Sequence, residues 1–159
     1  MAWFTHPRFD FDQIDNVFAS LKEVTKVLSP CTHNLEFLKS LGVPEEKFEL
    51  ILGAADPKMF KYHERDGKGV IGFSTAFYER KRPDRILGLM KAFPENHFIL
   101  LGKDWMTSPY ADELRSLPNL TYKECKYDEY PAFYEQMDVF VAPSDLEGGW
   151  AEIGEDAVL

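Results

Sequence analysis

Apolar residues in the first third of the chain alternate between short runs and helical spacings. Short apolar runs predict three strands, at residues 2–5, 25–28 and 48–52. Asp12 is the predicted cap of a first helix, and a second helix is predicted to begin at Thr32 and to stop at Gly42. The pattern therefore predicts a partial α/β segment at residues 1–60.

The rest of the chain repeats this alternation more regularly. Apolar runs predict four strands, at residues 70–74, 97–101, 120–123 and 139–142. Helical periodicity predicts four helices, at residues 83–93, 109–117 and 129–137 and after Gly149. Short apolar strands that alternate with helices are typical of a parallel sheet covered on both faces. The sequence therefore predicts an α/β fold with a Rossmann-like doubly wound parallel sheet.

The periodicity is lost between these two blocks. Asp56 and Pro57 mark a turn, and residues 63–69 are polar and contain glycine. We therefore expect a first domain at residues 1–60, a linker at 61–68 and a second domain at 69–159.

Composition and charge narrow the function classes. The chain has 159 residues, of which 45% are hydrophobic and 28% charged, as in a folded protein. A net charge of -9 argues against nucleic-acid binding, for which a basic stripe is the usual footprint. Cys31 and Cys125 lack ligand spacing and are expected to be reduced thiols of a cytoplasmic protein. No apolar run approaches the roughly 18 residues of a membrane span, which leaves a peripheral membrane contact open.

The last predicted strand leads into a glycine-containing loop and a predicted helix. Backbone N–H groups at a helix start attract anions, and glycine lets a phosphate approach the backbone. Carboxylates in the same stretch could accept hydrogen bonds from sugar hydroxyls. The residues concerned are Ser144, Glu147, Gly148, Gly149, Trp150 and Glu155. From spacing alone, a helix N-terminus with favourably placed acidic residues explains this stretch equally well.

Three consecutive cations, Arg80, Lys81 and Arg82, follow the first strand of the second block. Ligands of such sheets bind beyond the carboxyl ends of the strands. Cations at that edge could neutralise a diphosphate leaving group. A solvated basic turn is the alternative. The glycine-containing loop favours the functional interpretation, because both features are predicted at one edge of the sheet.

Other catalytic patterns are missing from the sequence. It has no Walker-type loop, no GxGxxG and no catalytic triad, which argues against nucleotide hydrolysis and hydride transfer. The four histidines lack metal-ligand spacing, so neither a metal nor another cofactor is expected. His6 ends the first predicted strand and could contact a substrate across a cleft.

The joint order of these features resembles the group 1 family of retaining glycosyltransferases, which have the two-domain GT-B fold. Four stretches carry the resemblance, at residues 40–60, 79–84, 134–144 and 143–157. Glu147 and Glu155 are similar to the family's Glu-x7-Glu motif, and residues 79–84 are similar to its RKG-x-D stretch. The resemblance covers about residues 20–159.

The resemblance implies transfer of a sugar from a nucleotide-diphosphate donor, with retention of configuration and without a metal. Glu147 would contact the donor sugar, and Glu155 would bind the ribose hydroxyls. Lys81 and the backbone amides of residues 148–150 would hold the diphosphate.

Two positions depart from the family pattern. Thr75 stands where the family usually has arginine after the first strand, so that Arg80 or Arg82 would have to substitute. Trp150 stands where the family usually has glycine. Thr75, Arg80 and Ser144 complete the predicted donor-binding residues, and His6 is the predicted acceptor-side residue.

Members of this family are longer at both ends. The resemblance implies that residues 69–159 are a nucleotide-sugar-binding domain, incomplete at its C-terminus, and that residues 1–60 are part of the acceptor-side domain. A missing domain or a partner chain would then complete the protein, and the acceptor is unknown. Two alternatives stay open, a sugar-nucleotide-binding module without turnover and a GT-B nucleotide-sugar epimerase.

Overall fold

The computed structural model describes residues 1–3, 14–30, 32–51, 55–65 and 67–144. The chain divides into two compact units, and the division falls between residues 54 and 55. None of the helices in these described ranges is long and apolar enough to cross a membrane.

The first unit is a small parallel sheet with two helices. Its elements are β1 (Ala2–Trp3), α1 (Ile14–Glu23), β2 (Val27–Ser29), α2 (Thr32–Ser40) and β3 (Phe48–Leu50). The strands are parallel in the order β1-β2-β3. A core of four buried side chains joins the helices to the central strand, formed by Leu21, Val27, Leu38 and Val43.

The end of α2 follows from one glycine. Gly42 has a φ of 79°, a conformation that glycine adopts without steric cost. Its N–H donates to the carbonyl of Lys39 at 2.9 Å, and the N–H of Val43 donates to the carbonyl of Leu38 at 3.1 Å. This pair of hydrogen bonds is a Schellman motif, which confirms the helix stop predicted at Gly42.

Within the described residues, the second unit is a four-stranded parallel sheet covered by helices. Its strands are β4 (Ile71–Ser74), β5 (Phe98–Leu101), β6 (Leu120–Lys123) and β7 (Val139–Phe140). Its helices are α3 (Pro83–Ala92), α4 (Ala111–Ser116) and α5 (Tyr130–Tyr134). All neighbouring strands are parallel, in the order β6-β5-β4-β7.

The central strand β5 divides the hydrophobic core into two halves. Phe98 and Leu100 pack into a cluster with side chains of α3 and α4, whereas Ile99 and Leu101 pack into a cluster with side chains of α5. This alternation is the period of two expected for a strand buried on both faces. Each fully buried apolar side chain contributes about 1.5–3 kcal/mol relative to exposure. The doubly wound architecture predicted from the sequence is confirmed.

The boundary between the units lies earlier than the predicted end of the first domain at residue 60. Phe60 is fully buried in the α5 side of the second core, where its ring centroid lies 5.9 Å from that of Tyr134. Because this side chain needs the second sheet for its burial, the compact units divide before residue 55.

The predicted linker at 61–68 is also bound to the second unit. The guanidinium of Arg65 donates to the carbonyl of Tyr134 at 2.8 Å. The carboxylate of Asp138 accepts hydrogen bonds from the backbone N–H groups of Gly67 and Val70, both at 2.9 Å. These backbone donors stabilise the charged form and lower the pKa of Asp138. The turn that leads into β4 is therefore fixed by two charged side chains.

In the second unit, three predicted elements are shorter in the structure by two or more residues. Helix α4 spans Ala111–Ser116 and α5 spans Tyr130–Tyr134, each preceded by a 3-10 turn, at Trp105–Thr107 and Tyr127–Glu129. Strand β7 ends at Phe140, because its described pairs with β4 end at Gly72 and Phe140. The helix predicted after Gly149 lies outside the described residues.

The close approach of Gly102 to the backbone of Thr75 can be tested by substitution. Its φ is 135°, and a Cβ atom at this position would lie 2.1 Å from the carbonyl oxygen of Thr75. We expect Gly102→Ala to lower the free energy of unfolding by about 1–3 kcal/mol, because the clash is with backbone and cannot be relieved by a rotamer change. Urea denaturation measures the change.

Gly88→Ala is the matched control. Gly88 lies within α3, and a Cβ atom there would have no heavy atom within 4 Å. The same substitution should therefore raise stability there by about 0.5–1 kcal/mol. Equal effects of the two substitutions would contradict the assigned geometry of Gly102.

Candidate functional site

The order of the described strands in the second unit has one reversal point. The chain passes from β4 outward to β5 and β6, and then returns to the other side of β4 with β7. In open parallel sheets, ligands bind in the crevice beyond the carboxyl ends of the strands at this reversal. The segments at that place are residues 75–82 after β4 and 141–144 after β7.

The three predicted cations after β4 differ in their surroundings. A 3-10 turn at Glu79–Lys81 leads into α3. Lys81 is 5% exposed, which is rare for lysine. Arg80 is exposed, with its guanidinium carbon 5.6 Å from the centroid of the Tyr78 ring. The turn therefore holds one buried cation and one exposed cation.

Arg82 is bound to a neighbouring carboxylate. Its guanidinium donates two hydrogen bonds to Asp84, at 2.9 Å to Oδ1 and 2.5 Å to Oδ2. The hydrogen bond with Arg82 is the main cause that lowers the pKa of Asp84 to about 2. The charge of Arg82 is therefore balanced by a carboxylate in the first turn of α3.

Backbone strain occurs at the same edge of the sheet. Among the described residues, Arg82 and Asp104 are the two non-glycine residues with positive φ, at 55° and 71°. They lie in the loops after β4 and β5. Such conformations cost about 1–3 kcal/mol each and occur preferentially at functional sites.

Arg85 connects the two sides of the reversal point. This residue lies in the first turn of α3, and its guanidinium donates to the carbonyl of Pro143 at 2.9 Å. The start of α3 is thereby tied to the segment after β7, where half-buried Ser144 follows. Arg85 is not among the predicted site residues, although its position directly after the cationic turn was an available signal.

A cleft of about 270 Å³ lies along the carboxyl ends of β4, β5 and β6. Thr75 lines it at the β4 end, where its backbone N–H donates to the carbonyl of Leu101 at 2.7 Å and its hydroxyl donates to the carbonyl of Ala76 at 3.0 Å. The indole N–H of Trp105 donates to the carbonyl of Thr75 at 2.7 Å. Trp105 itself is fully buried in the core. Its hydrogen bond therefore fixes the backbone of Thr75, which lines the cleft.

The far end of the cleft has a different chemistry. Lys103, Glu124, Cys125 and Tyr130 line it. The hydroxyl of Tyr122 donates to Glu124 Oε1 at 2.5 Å. Burial raises the pKa of the Cys125 thiol, so the thiol is protonated at neutral pH. None of these four residues is among the predicted ligand contacts, although their place after β5 and β6 was the signal that could have found them.

Several predicted site residues lie outside the described part of the chain. They are His6, Glu147, Gly148, Gly149, Trp150 and Glu155. Their roles stay predictions. Within the residues that the structure does describe, no group of three or more His, Cys, Asp or Glu side chains could hold a metal ion.

Comparison of this chain with known proteins identifies its fold. No protein-family model and no curated protein matches the sequence. Among solved structures, HepE of Anabaena in complex with UDP and glucose is similar, with a TM-score of 0.75 and 15% identity over 99% of this chain. Sucrose-phosphate synthase of Thermosynechococcus elongatus is similar with a TM-score of 0.69 and 16% identity over 98% of this chain.

A third similar structure is WaaG, a glycosyltransferase involved in lipopolysaccharide biosynthesis, with a TM-score of 0.66 and 13% identity over 84% of this chain. The chain therefore has the α/β fold of GT-B glycosyltransferases. It spans about half the length of the solved structures that it matches, 50% of HepE, 47% of the synthase and 42% of WaaG.

The ion pair of Arg82 and Asp84 gives a testable titration. The side-chain carboxyl of Asp84 should titrate near pH 2 instead of 3.8. Because the folded pKa lies below the unfolded one, the pair stabilises the fold above about pH 4 and loses this contribution as the pH falls through about 2. Carboxyl chemical shifts followed by NMR measure the midpoint.

Arg82→Gln should return the midpoint toward 3.8. Arg115→Gln is the control, since Arg115 pairs with Asp112 on α4 at 2.8 Å. A midpoint of Asp84 that stays low in Arg82→Gln would contradict the assigned cause.

Proposed function

We propose that this chain is the donor-binding part of a group 1 GT-B glycosyltransferase, which transfers a sugar from a nucleoside diphosphate with retention of configuration. The observation that carries the proposal is the hydrogen bond between Arg85 and Pro143. It ties the helix that follows the cationic turn to the segment that enters the predicted Glu-x7-Glu stretch. The support is that the cationic turn and residues 141–144 both border the reversal point of the sheet.

Cations beside the donor would stabilise the charge that develops in the proposed reaction. When the glycosidic bond to the diphosphate breaks, negative charge develops on the leaving phosphate oxygen. A cation that is already desolvated interacts with this charge more strongly than a hydrated one. Lys81 has this property through its burial, and Arg80 adds an exposed charge to the same turn. In this proposal the two cations and backbone amides balance the leaving group without a metal.

The remaining donor contacts rest on the sequence. Glu147 would bind the sugar, Glu155 the ribose hydroxyls, and the amides of residues 148–150 the diphosphate. Thr75 and Ser144 would border the donor at the ends of β4 and β7. Support for these contacts comes from the predicted position of the residues beyond the carboxyl ends of the strands.

A sugar-nucleotide-binding module without turnover is the second candidate. Binding of a nucleoside diphosphate without hydrolysis or transfer in the presence of candidate acceptors would favour the module. Conversion of the donor sugar to its epimer would instead indicate the epimerase.

Lys81 is the main test of the cationic turn. We expect Lys81→Gln to weaken binding of nucleoside diphosphates by about tenfold or more, the size of a lost charge-assisted hydrogen bond. Binding of the corresponding nucleoside should not change, because it has no phosphate. Isothermal titration calorimetry measures both affinities.

Lys91→Gln is the matched control for Lys81→Gln. Lys91 lies in the last turn of α3, the helix that follows the cationic turn, forms an ion pair with Glu113, and carries the same charge. Because Lys81 is buried, thermal unfolding checks that its variant is folded, and Arg80→Gln tests the turn at an exposed position. Equal affinities for all three variants and the wild type would contradict the phosphate role.

Glu155 tests the predicted ribose contact. We expect Glu155→Gln to weaken binding of nucleoside diphosphates, because an ionised carboxylate accepts stronger hydrogen bonds from hydroxyls than an amide does. A 2′-deoxynucleoside diphosphate should be affected less by the substitution. An unchanged dissociation constant for the ribonucleotide in the same titration would remove Glu155 from the site.

A further inference from the structure

The cleft along β4, β5 and β6 has a composition that the cationic turn does not explain. Its far end combines a cation, a carboxylate and an aromatic ring, which belong to Lys103, Glu124 and Tyr130. Its volume of about 270 Å³ is small. Since sites for complete small-molecule ligands have about 300–1,000 Å³, this cleft fits one part of a larger ligand.

The position of the cleft indicates which part of a larger ligand it can bind. Neighbouring strands are about 4.8 Å apart, so the ends of β4 and β6 are separated by about 10 Å. If the diphosphate lies at the turn after β4, as in the proposed function on which this inference rests, a nucleoside can extend along the strand ends toward β6. The nucleobase then reaches Glu124 and Lys103.

We propose that this cleft receives the nucleobase of the donor and that Glu124 and Lys103 make it selective for guanine. The Watson–Crick edge of guanine presents the acceptor O6 beside two adjacent donors, N1–H and the N2 amino group. A carboxylate accepts from both donors, and an ammonium group donates to O6.

The other bases fit this pair of charges less well. Uracil has a single N–H between two carbonyl oxygens, so a carboxylate that approaches this donor is repelled by both acceptors. Adenine presents one amino group beside a ring-nitrogen acceptor, and thus also offers one donor position. Guanine satisfies the carboxylate with two hydrogen bonds and leaves O6 for the cation.

The structure holds Glu124 in place before any ligand binds. The hydroxyl of Tyr122 donates to its Oε1 at 2.5 Å. Burial, and next the hydrogen bond to Glu124, raise the pKa of Tyr122, so the hydroxyl stays a donor at every pH near neutrality. A carboxylate oxygen has two lone pairs, so Glu124 can still accept from a base. Its orientation costs little entropy on binding.

Tyr130 supplies a surface for the flat base. It is half-buried and lines the cleft. Its ring centroid lies 6.4 Å from that of Tyr127 and 5.8 Å from that of Tyr134. These neighbours restrict the ring. Stacking on an aromatic ring does not discriminate among nucleobases. Discrimination among them therefore depends on Glu124 and Lys103.

The similar structures do not determine which nucleobase this cleft binds. HepE is in complex with UDP, at 15% identity to this chain. Base-reading side chains lie in loops, which differ among proteins that share a fold.

Calorimetric titration of the chain with GDP and UDP tests the proposal. We expect the wild type to bind GDP at least about tenfold more tightly than UDP, and Glu124→Gln to reduce this ratio to roughly threefold or less, with little change for UDP. Tyr122→Phe should reduce the ratio partly, because it removes the group that orients the carboxylate. Glu135→Gln, an exposed glutamate of the same unit that does not line this cleft, should leave the ratio unchanged.

Two results would overturn the inference. Equal affinities of the wild type for GDP and UDP would show that the cleft does not select guanine. A preference for GDP that persists in Glu124→Gln would remove Glu124 as its cause. In both cases nucleoside diphosphates still bind, so the proposed function survives. If neither nucleotide binds, the proposed function fails and the inference fails with it.

Discussion

The second unit depends on the complete burial of β5. Every residue of Phe98–Leu101 is buried, and its side chains alternate between the two halves of the core. A one-residue shift would exchange these halves, so the register with β4 and β6 is strongly constrained. Because the three strands are parallel and in register, their carboxyl ends meet at one edge. The cationic turn, the strained residues after β4 and β5 and the cleft all depend on that alignment.

Several polar contacts at this edge of the sheet hold backbone groups in place. Trp105 fixes the carbonyl of Thr75, and Arg85 fixes that of Pro143. Arg82 is committed to Asp84. These contacts position backbone at the ends of β4 and β7. The buried cation of Lys81 and the side chains at the far end of the cleft are then arranged around fixed backbone, which is how a site becomes ordered before its ligand binds.

The sequence predicted the elements better than the site. The apolar runs and the stop at Gly42 are local signals, and the structure has them close to the predicted positions. The contact of Arg85 with Pro143 joins residues 58 positions apart, and no local pattern encodes it. The same holds for the different surroundings of Arg80, Lys81 and Arg82, since the burial of Lys81 is a property of the folded unit. The early boundary has a similar cause, because the burial of Phe60 depends on residues more than 70 positions later, such as Tyr134 and Met137.

The carboxylate of Asp138 has a consequence for how the second unit folds. Its hydrogen bonds to Gly67 and Val70 close loops of 71 and 68 positions, and β7 pairs with β4 over a similar separation. Loop closure of this length is unfavourable until the strands between have formed their contacts. The docking of β7 is therefore expected to be a late event, and a slow one for a chain of this size. Until it occurs, one edge of β4 is exposed to other chains, so the interval before closure is the time at which the folding protein is most prone to aggregate.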